Sequence, residues 1–432
     1  MTDVTVVADD LTGAADCGIA FALAGLPTFV SIGNAPAPDS AQIVSVDADT
    51  RRLGRLEAAD KSGEAARDAY RRGSQQLYKK IDSTLRGHVA AELATTFRAA
   101  ADLAAGEAPL VVFAPAFPGT GRTTRDGQVM VSGVPLEQSE VWRKSGMTGS
   151  ADPVAMLREA GLVAEPVPLA AVRAGSNDLR VALSDLIGRG VQVAVCDAEK
   201  EDDLRRIAEA GAKLRWPVIW VGSGGLARHL PAALGLRPRP GADSRPRLPD
   251  GPVLALVGSR STVARDQARM LSAEEGVATF ELDVDLLLGG PGSTAWTRAA
   301  ADLRRVLAAG QDAVLVTQLG SEVDLAIGPA LADALGRFAT ASADQIGGLI
   351  ATGGDIARAV LGSLGAGGLH LLGEVEPGVP IGLADARRPV PVVTKAGAFG
   401  TPETLQRSRA ALKRLIRAGP DAVTKRNGAG AS

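Results

Sequence analysis

Short and almost unbroken apolar runs of β-forming residues recur along the chain, at Val4–Ala8, Thr28–Ile32, Ile43–Asp47, Leu110–Ala114, 191–197 and 217–221, with helical patterns such as 63–76 and 89–101 between them. A strand that is apolar on both sides must be covered on both faces, so these runs predict an α/β fold of mostly parallel sheets packed between helices. The alternation resumes at Val253–Val257, 279–282, 313–317, 349–352, 369–375 and 390–394 and closes with a helix from about 402 to 417. The stretch between the two series holds Pro238, Pro240, Gly241, Pro246, Pro249 and Gly251 among arginines, a composition that cannot continue a helix and buries little. Two domains are therefore expected, 1–236 and 253–418, joined by a linker at 237–252 and followed by a flexible tail at 419–432.

With 432 residues, 46% of them hydrophobic, the chain can fill two such cores. Its 47 basic and 49 acidic residues leave a net charge of -2, which argues against a large one-signed surface for nucleic acid or anionic lipid. Any anion site must be local. The cysteines, Cys17 and Cys196, and the histidines, His88, His229 and His370, show no metal-ligand spacing, so no protein-held metal is expected. Two distant cysteines suit a reducing compartment, and no apolar run approaches the roughly 20 residues needed to cross a bilayer. The first strand lacks a basic leader and a cleavage site, so it belongs to the mature fold, and a cytoplasmic protein without a membrane partner is expected.

Val4–Ala8 runs directly into Asp9-Asp10-Leu11-Thr12-Gly13-Ala14, which places two carboxylates and a hydroxyl at the carboxyl end of the first strand, where open α/β sheets bind ligands. Further on, Lys79-Lys80-Ile81-Asp82-Ser83-Thr84-Leu85-Arg86-Gly87-His88 joins a short strand to the helix containing Glu92. One reading makes Asp82 or Ser83 a helix cap with solvated lysines; the other is a pocket for a small polyhydroxy carboxylate, with Arg86 forked onto the carboxylate and Asp82 and Ser83 on hydroxyls. Pro115-Ala116-Phe117-Pro118-Gly119-Thr120-Gly121-Arg122 follows the strand at 110–114 and either covers a substrate, brings Arg122 to a phosphate, or is a plain surface loop. Gly222-Ser223-Gly224-Gly225 repeats the strand-glycine-helix pattern and admits a packing role.

In the second half three strand ends carry small residues. Gly258-Ser259-Arg260-Ser261, Thr352-Gly353-Gly354-Asp355 and Lys395-Ala396-Gly397-Ala398-Phe399-Gly400 each follow an apolar run. Paired glycines let a backbone approach a phosphate closely, and the amides of the following helix point towards it. Asp355 is alternatively an ordinary N-cap, and Thr401-Pro402-Glu403 read as N-cap, N1 and N2 of the last helix. Neither a G-x-x-x-x-G-K-[ST] loop nor a G-x-G-x-x-G fingerprint occurs in this half, so the site is of another type.

Taken together and in order, these motifs resemble the four-carbon acid sugar kinase family over roughly residues 4 to 410. The resemblance implies an amino-terminal domain for a sugar acid, a carboxyl-terminal domain for ATP, and transfer of the γ-phosphoryl group to a substrate hydroxyl, usually the terminal one. Matched residue by residue, it puts substrate contacts at Asp9, Asp10, Asp82, Ser83 and Arg86. ATP contacts fall at Ser259 or Ser261, at Gly353, Gly354, Asp355 and Ile356, and at Gly397 or Gly400. The chain departs from the commonest pattern at Asp355-Ile356, where a glutamate and threonine are frequent, and at Ala396 and Ala398.

Phosphoryl transfer needs alignment and charge neutralisation more than covalent help. Asp10, or in second place Asp9, is expected to accept the proton of the attacking hydroxyl, with Mg2+ bridging the β and γ phosphates on few protein ligands. Closure about the linker would exclude water. The acceptor is expected to be threonate, erythronate or 3-oxo-tetronate; a branched relative such as 3-oxo-isoapionate is the alternative, and a non-catalytic sugar-acid sensor is the rival from another class. Oligomeric state is left open, a homodimer being one outcome.

Overall fold

The computed structural model describes residues 2–33, 35–103, 107–144, 147, 150–239, 248–258, 261–318 and 327–419. The middle of the expected linker, nearly all of the expected tail and Ser259 lie outside these residues. The chain forms two compact units, one of residues 1–28 and 38–240, the other of 29–37 and 241–432.

The strands before the linker are β1 (Val4–Ala8), β2 (Thr28–Ile32), β3 (Ile43–Asp47), β4 (Gln76–Lys80), β5 (Leu110–Ala114), β6 (Arg122–Arg125), β7 (Gln128–Val131), β8 (Val134–Pro135), β9 (Ala164–Val167), β10 (Val193–Cys196) and β11 (Val218–Gly222). The first unit is built on a parallel sheet in the order β3-β1-β4-β11-β5-β10-β9, while β6, β7 and β8 form a small antiparallel sheet. Strand periodicity divides the core: Val4 and Val6 pack with Phe21 and Trp220 on one face, and Val7 with Leu93, Phe97 and Ile219 on the other. Each fully buried side chain of this size contributes about 1.5–3 kcal/mol, so the strand ends are held by a dry core on both faces.

The second unit adds β12 (Val253–Val257), β13 (Val277–Asp283), β14 (Asp312–Gln318), β15 (Gly348–Thr352), β16 (Gly368–Glu376), β17 (Val379–Ala384) and β18 (Pro391–Lys395). Its order is β13-β14-β12-β15-β18-β17-β16-β2, parallel from β13 to β18 and antiparallel beyond. The strand Thr28–Ile32, expected within the first sheet's alternation, pairs through Phe29, Val30 and Ser31 with His370, Leu369 and Gly368.

Two helix boundaries differ from expectation. The helix expected at 63–76 is Arg55–Arg71, and Gln76 already begins β4. Its buried stripe is Ala58, Ala59, Ser62, Gly63, Ala66 and Ala69, small residues that leave little hydrophobic signal, and a Cβ on Gly63 would stand 3.1 Å from Thr95 of the neighbouring helix. The last helix is Thr404–Ala418 with Glu403 as its N-cap, because the Thr401 carbonyl is taken by the Thr404 hydroxyl at 2.8 Å and by Gln267 Nε2 at 2.8 Å.

Candidate functional site

In the first unit β3 and β4 flank β1, so their carboxyl ends open on the same edge as Asp9 and Asp10. Asp10 caps the helix Leu11–Leu23: its Oδ1 accepts from the Gly13 N–H at 2.7 Å and its Oδ2 from the Thr12 hydroxyl at 2.9 Å. Asp9 turns the other way and is buried. Arg51, in the loop after β3, donates Nε and Nη2 to the two Asp9 oxygens at 2.7 and 2.9 Å, donates Nη1 to Asp10 Oδ2 at 2.5 Å, and lies 3.8 Å from Asp82. The Asp9 carbonyl in turn accepts the Thr50 and Arg51 amides at 3.0 and 3.2 Å, which fixes that loop.

Asp82 does not cap a helix. It closes a turn, accepting the Thr84 amide at 2.9 Å and the Thr84 hydroxyl on Oδ1 and Arg86 Nη2 on Oδ2 at 2.6 Å, with Leu85 and Gly87 at φ 56 and 88. That left-handed pair folds the turn back until a Cβ on Gly87 would sit 3.3 Å from Asp9 Oδ2. Ser83 rides on the same turn and is buried. The structure thus brings Asp9, Asp10, Asp82, Ser83 and Arg86 together. It adds Arg51, which sequence reasoning missed; the signal was its place just beyond a strand that neighbours β1.

Burial alone would raise the Asp9 carboxyl, but the charge and hydrogen bonds of Arg51, with Lys80 and Lys79 behind them, hold it below the usual carboxylate range. Asp82 is likewise lifted by burial and driven far lower by Arg86, Arg51 and Thr84. Arg51, despite burial, is locked in its charged form by Asp9, Asp10 and Asp82. The lysines are not solvated: Lys79 is buried on Glu92 at 2.6 Å, and buried Lys80 donates to the Ile81 carbonyl at 3.0 Å, beneath the Gly13 turn. Arg122 lies close enough for Asp82 and Arg86 to act on its charge. With Arg51, Arg86, Lys80 and Arg122 set against Asp9, Asp10 and Asp82, the cluster has a positive surplus. Arg86 Nε is buried and has no hydrogen-bond partner among the described residues. An unpaired charged donor is costly and points to a missing acceptor. Asp10 has the most exposed carboxylate of the three, its side chain 20% exposed against 5% for Asp9 and 11% for Asp82.

The Gly222-Ser223-Gly224-Gly225 turn is a packing turn. A Cβ on Gly222 or Gly225 would stand 2.5 Å from the Ala114 or Ala116 carbonyl, and Ser223 donates to Ala116 O at 2.8 Å.

In the second unit β14, β12, β15 and β18 lie side by side, so their carboxyl ends form one edge. Gly353 has φ 107, which only glycine adopts readily; it starts the helix Gly354–Ser363 and donates its N–H to the Lys395 carbonyl at 2.8 Å, lacing the turns after β15 and β18 together. Asp355 sits in the first turn of that helix and is not its N-cap. Ile356 is buried, and its Cδ1 would be 2.6 Å from a Cβ on Gly258, so the turn after β12 must start with a glycine. Ser261 is the N-cap of the helix Thr262–Ser272. The Gly397 carbonyl accepts from Lys395 Nζ at 3.3 Å, and Gly400, at φ 89, has Glu376 Oε1 2.7 Å from where a Cβ would stand. Gly258, Gly353, Gly354, Asp355, Ile356, Ser261, Gly397 and Gly400 therefore belong to adjacent strand ends. The hydroxyls of Thr317 and Thr352, at the ends of β14 and β15, are buried without partners among the described residues. Small residues, open amides and unpaired hydroxyls suit a phosphorylated ligand bound mainly through backbone.

Comparison with known proteins bears on both units. A family model described as a sugar-binding N-terminal domain matches residues 4–230, and one described as a nucleotide-binding C-terminal domain matches residues 254–405. A D-threonate kinase of Cupriavidus necator is 44% identical, covering 93% of this chain and 95% of the relative. A 3-oxo-tetronate kinase of Methylobacterium radiotolerans is 33% identical over 91% of this chain and 95% of its own. A solved structure from Salmonella typhimurium superposes with a TM-score of 0.76 at 26% identity, covering 94% of this chain and 99% of that one. On these matches, which run nearly end to end, the chain belongs to the four-carbon acid sugar kinase family and is an ATP-using phosphotransferase acting on a hydroxyl of a four-carbon sugar acid.

Proposed function

We propose that the acceptor is D-threonate, that its terminal hydroxyl receives the γ-phosphoryl group of Mg2+-bound ATP, and that Asp10 accepts the proton. The observation that carries the site is the first-unit cluster: a positive surplus with one unpaired guanidinium donor on Arg86, beside a carboxylate that solvent reaches. The sugar-acid carboxylate takes the free edge of Arg86, which offers a fork that a point-charge lysine lacks. Ser83 and Asp82 take hydroxyls. Asp10, gripped by Arg51, Thr12 and the Gly13 amide, cannot swing away, so an acceptor hydroxyl within hydrogen-bond reach is oriented as its proton is withdrawn. The D-threonate assignment is supported by relatives so named at 44%, 34% and 32% identity, against 29% for one named D-erythronate kinase.

The nucleotide is assigned to the second-unit strand ends, its phosphates on the amides of the Gly353 and Gly397 turns. Among the described residues no group of three or more His, Cys, Asp or Glu is arranged to hold a metal ion, and Asp9, Asp10 and Asp82 are engaged by arginines. Mg2+ would enter as part of the ATP complex and supply charge neutralisation on the phosphates. Both cysteines are buried free thiols, which suits the reducing cytosol. Coupled ADP release with a panel of four-carbon acids tests the assignment: turnover with D-threonate at the highest kcat/KM is expected, turnover on another acid overturns the substrate, and binding without ADP release would make the chain a sensor.

A further inference from the structure

Lys395, the last residue of β18, is fully buried. Its register partner on β15 is Thr352, and strand periodicity puts both on the face that carries Val257, Ile350 and Val393, covered by the helices Thr262–Ser272 and Thr404–Ala418. On that face the ammonium has one hydrogen bond among the described residues, a long one of 3.3 Å to the Gly397 carbonyl. The neighbouring polar atoms are also under-used: Thr352 Oγ1 and Gln267 Oε1 are buried and have no partner among the described residues. Gln267 Nε2, by contrast, is spent on the carbonyls of Phe399 and Thr401, at 3.1 and 2.8 Å, in the turn that Lys395 precedes.

The charged surroundings do not compensate a buried ammonium. From β16 Glu376 faces it, but Glu376 is held by the Thr404 hydroxyl and by Arg407 of the last helix. The helix Thr262–Ser272 brings the neutral Gln267 and β15 the neutral Thr352. Burial accordingly pushes the lysine down to about 8, with Glu376 opposing. A core lysine in this state is a poor structural element, since a buried charge without a close counter-ion costs stability that an apolar side chain would not.

We propose that Lys395 is a positioning residue for nucleotide phosphate: its buried ammonium draws the Gly397 carbonyl inward, leaves the Gly397 and Ala398 amides to face the phosphates while the Phe399 amide closes the turn on the Ala396 carbonyl, and supplies positive charge directly beneath them. The proposal rests on the assignment of the nucleotide to these turns. The lysine touches the ligand only through the turn. Bound phosphate would bring negative charge close to the ammonium, so binding favours the charged lysine and is linked to proton uptake where the free protein is partly neutral.

The test uses the full chain with ADP as probe, comparing wild type with Lys395→Met, Lys395→Arg and Gly353→Val. Calorimetry between pH 7 and 9.5, in buffers of different ionisation enthalpy, should show proton uptake on ADP binding by wild type near pH 8 and an affinity that falls as pH rises. Lys395→Met should bind ADP at least tenfold more weakly at pH 7, without that uptake, while its melting temperature holds or rises and its sugar-acid affinity is unchanged. Lys395→Arg should restore part of the affinity with no titration in this range. If Lys395→Met binds within twofold of wild type or keeps the same proton uptake while Gly353→Val loses ADP, the inference fails and the nucleotide assignment stands. If both variants bind ADP normally, the nucleotide assignment fails with it. A Lys395→Met protein whose melting temperature drops sharply would instead make the lysine structural.

Discussion

The two clusters of strand ends are built by opposite means. The first unit gathers Asp9, Asp10, Asp82, Arg51 and Arg86 into interlocked ion pairs, with Arg86 Nε unpartnered among the described residues and the Asp10 carboxylate the most exposed of the three. The second presents glycines at φ 107 and 89, open amides and unpaired hydroxyls, with Lys395 as the one cation buried beneath the 396–400 turn among the described residues. A small sugar acid differs from its isomers by hydroxyl placement, which side chains of fixed geometry can read. A triphosphate is the same in every nucleotide, and backbone amides suffice for it. On the proposed assignment the difference puts specificity in the first unit, and substitutions should separate it from phosphate binding.

The largest effect is expected from Asp10→Asn. The amide keeps the cap acceptor on Oδ1 but cannot take a proton, so kcat should fall on the order of a thousandfold, within the usual range for a lost general base. The melting temperature should fall modestly, because the amide nitrogen now faces Arg51 Nη1, while the protein stays folded and ADP affinity stays close to wild type. Near-normal kcat would transfer the role elsewhere and remove the reason for the first unit's charge density.

Next comes Arg51→Met, which strikes the ion pairs themselves. It leaves Asp9 buried and unpaired, so a loss of about 3–5 kcal/mol is expected at neutral pH, read by chemical denaturation. The pH dependence has a definite sign. In wild type Asp9 and Asp82 titrate below their ordinary value of 3.8, so their stabilisation is present above that pH and is lost as the solution is acidified through their folded values. Without Arg51 the carboxyl of Asp9 is raised by burial, and the acid-side loss should begin at a higher pH. An unchanged acid profile would show that Asp9 does not depend on Arg51.

The two regions also differ in how far they were legible. β1, β3, β5, β12 and the turns after β1, β4, β15 and β18 could be read because unbroken apolar strands and glycine pairs are local signals. Arg51 was not, since its role arises only when β3 pairs beside β1, 42 residues from Asp9 in a loop with no motif of its own. The pairing of Thr28–Ile32 into the second unit is likewise invisible in a five-residue β-type run. Lys395 opens the Lys395-Ala396-Gly397-Ala398-Phe399-Gly400 motif, yet its burial depends on the helix Thr404–Ala418 covering the strand end, and composition makes any lysine look solvated. Thr401-Pro402-Glu403 had the right residue types for a helix start, but the fold used the Thr401 carbonyl as an acceptor for Gln267 instead. Local chemistry was legible; the partners brought by pairing were not.

A third substitution works from the second unit. Gly353→Val forces a β-branched residue to φ 107, straining a turn whose amide is tied to the Lys395 carbonyl, so ADP affinity should drop tenfold or more, while D-threonate affinity, read separately by thermal shift, stays the same. Parallel losses for both ligands would mean that the second unit had unfolded rather than lost a phosphate cradle.

The smallest effect is expected at Ser83. Its side chain is buried on the Asp82 turn and makes no hydrogen bond among the described residues, so Ser83→Ala removes no internal contact and should leave the melting temperature within a degree or two. If the hydroxyl meets the sugar acid, the lost neutral hydrogen bond is worth about 0.5–1.5 kcal/mol, a rise of up to roughly tenfold in KM for D-threonate at constant kcat and constant KM for ATP. The informative measurement is the ratio between D-threonate and D-erythronate, whose hydroxyls differ in configuration. A ratio that collapses shows that Ser83 reads configuration, and a uniform loss shows that it only fills space. No change at all would leave Asp82 and Arg86 as the residues by which the first unit tells one four-carbon acid from another.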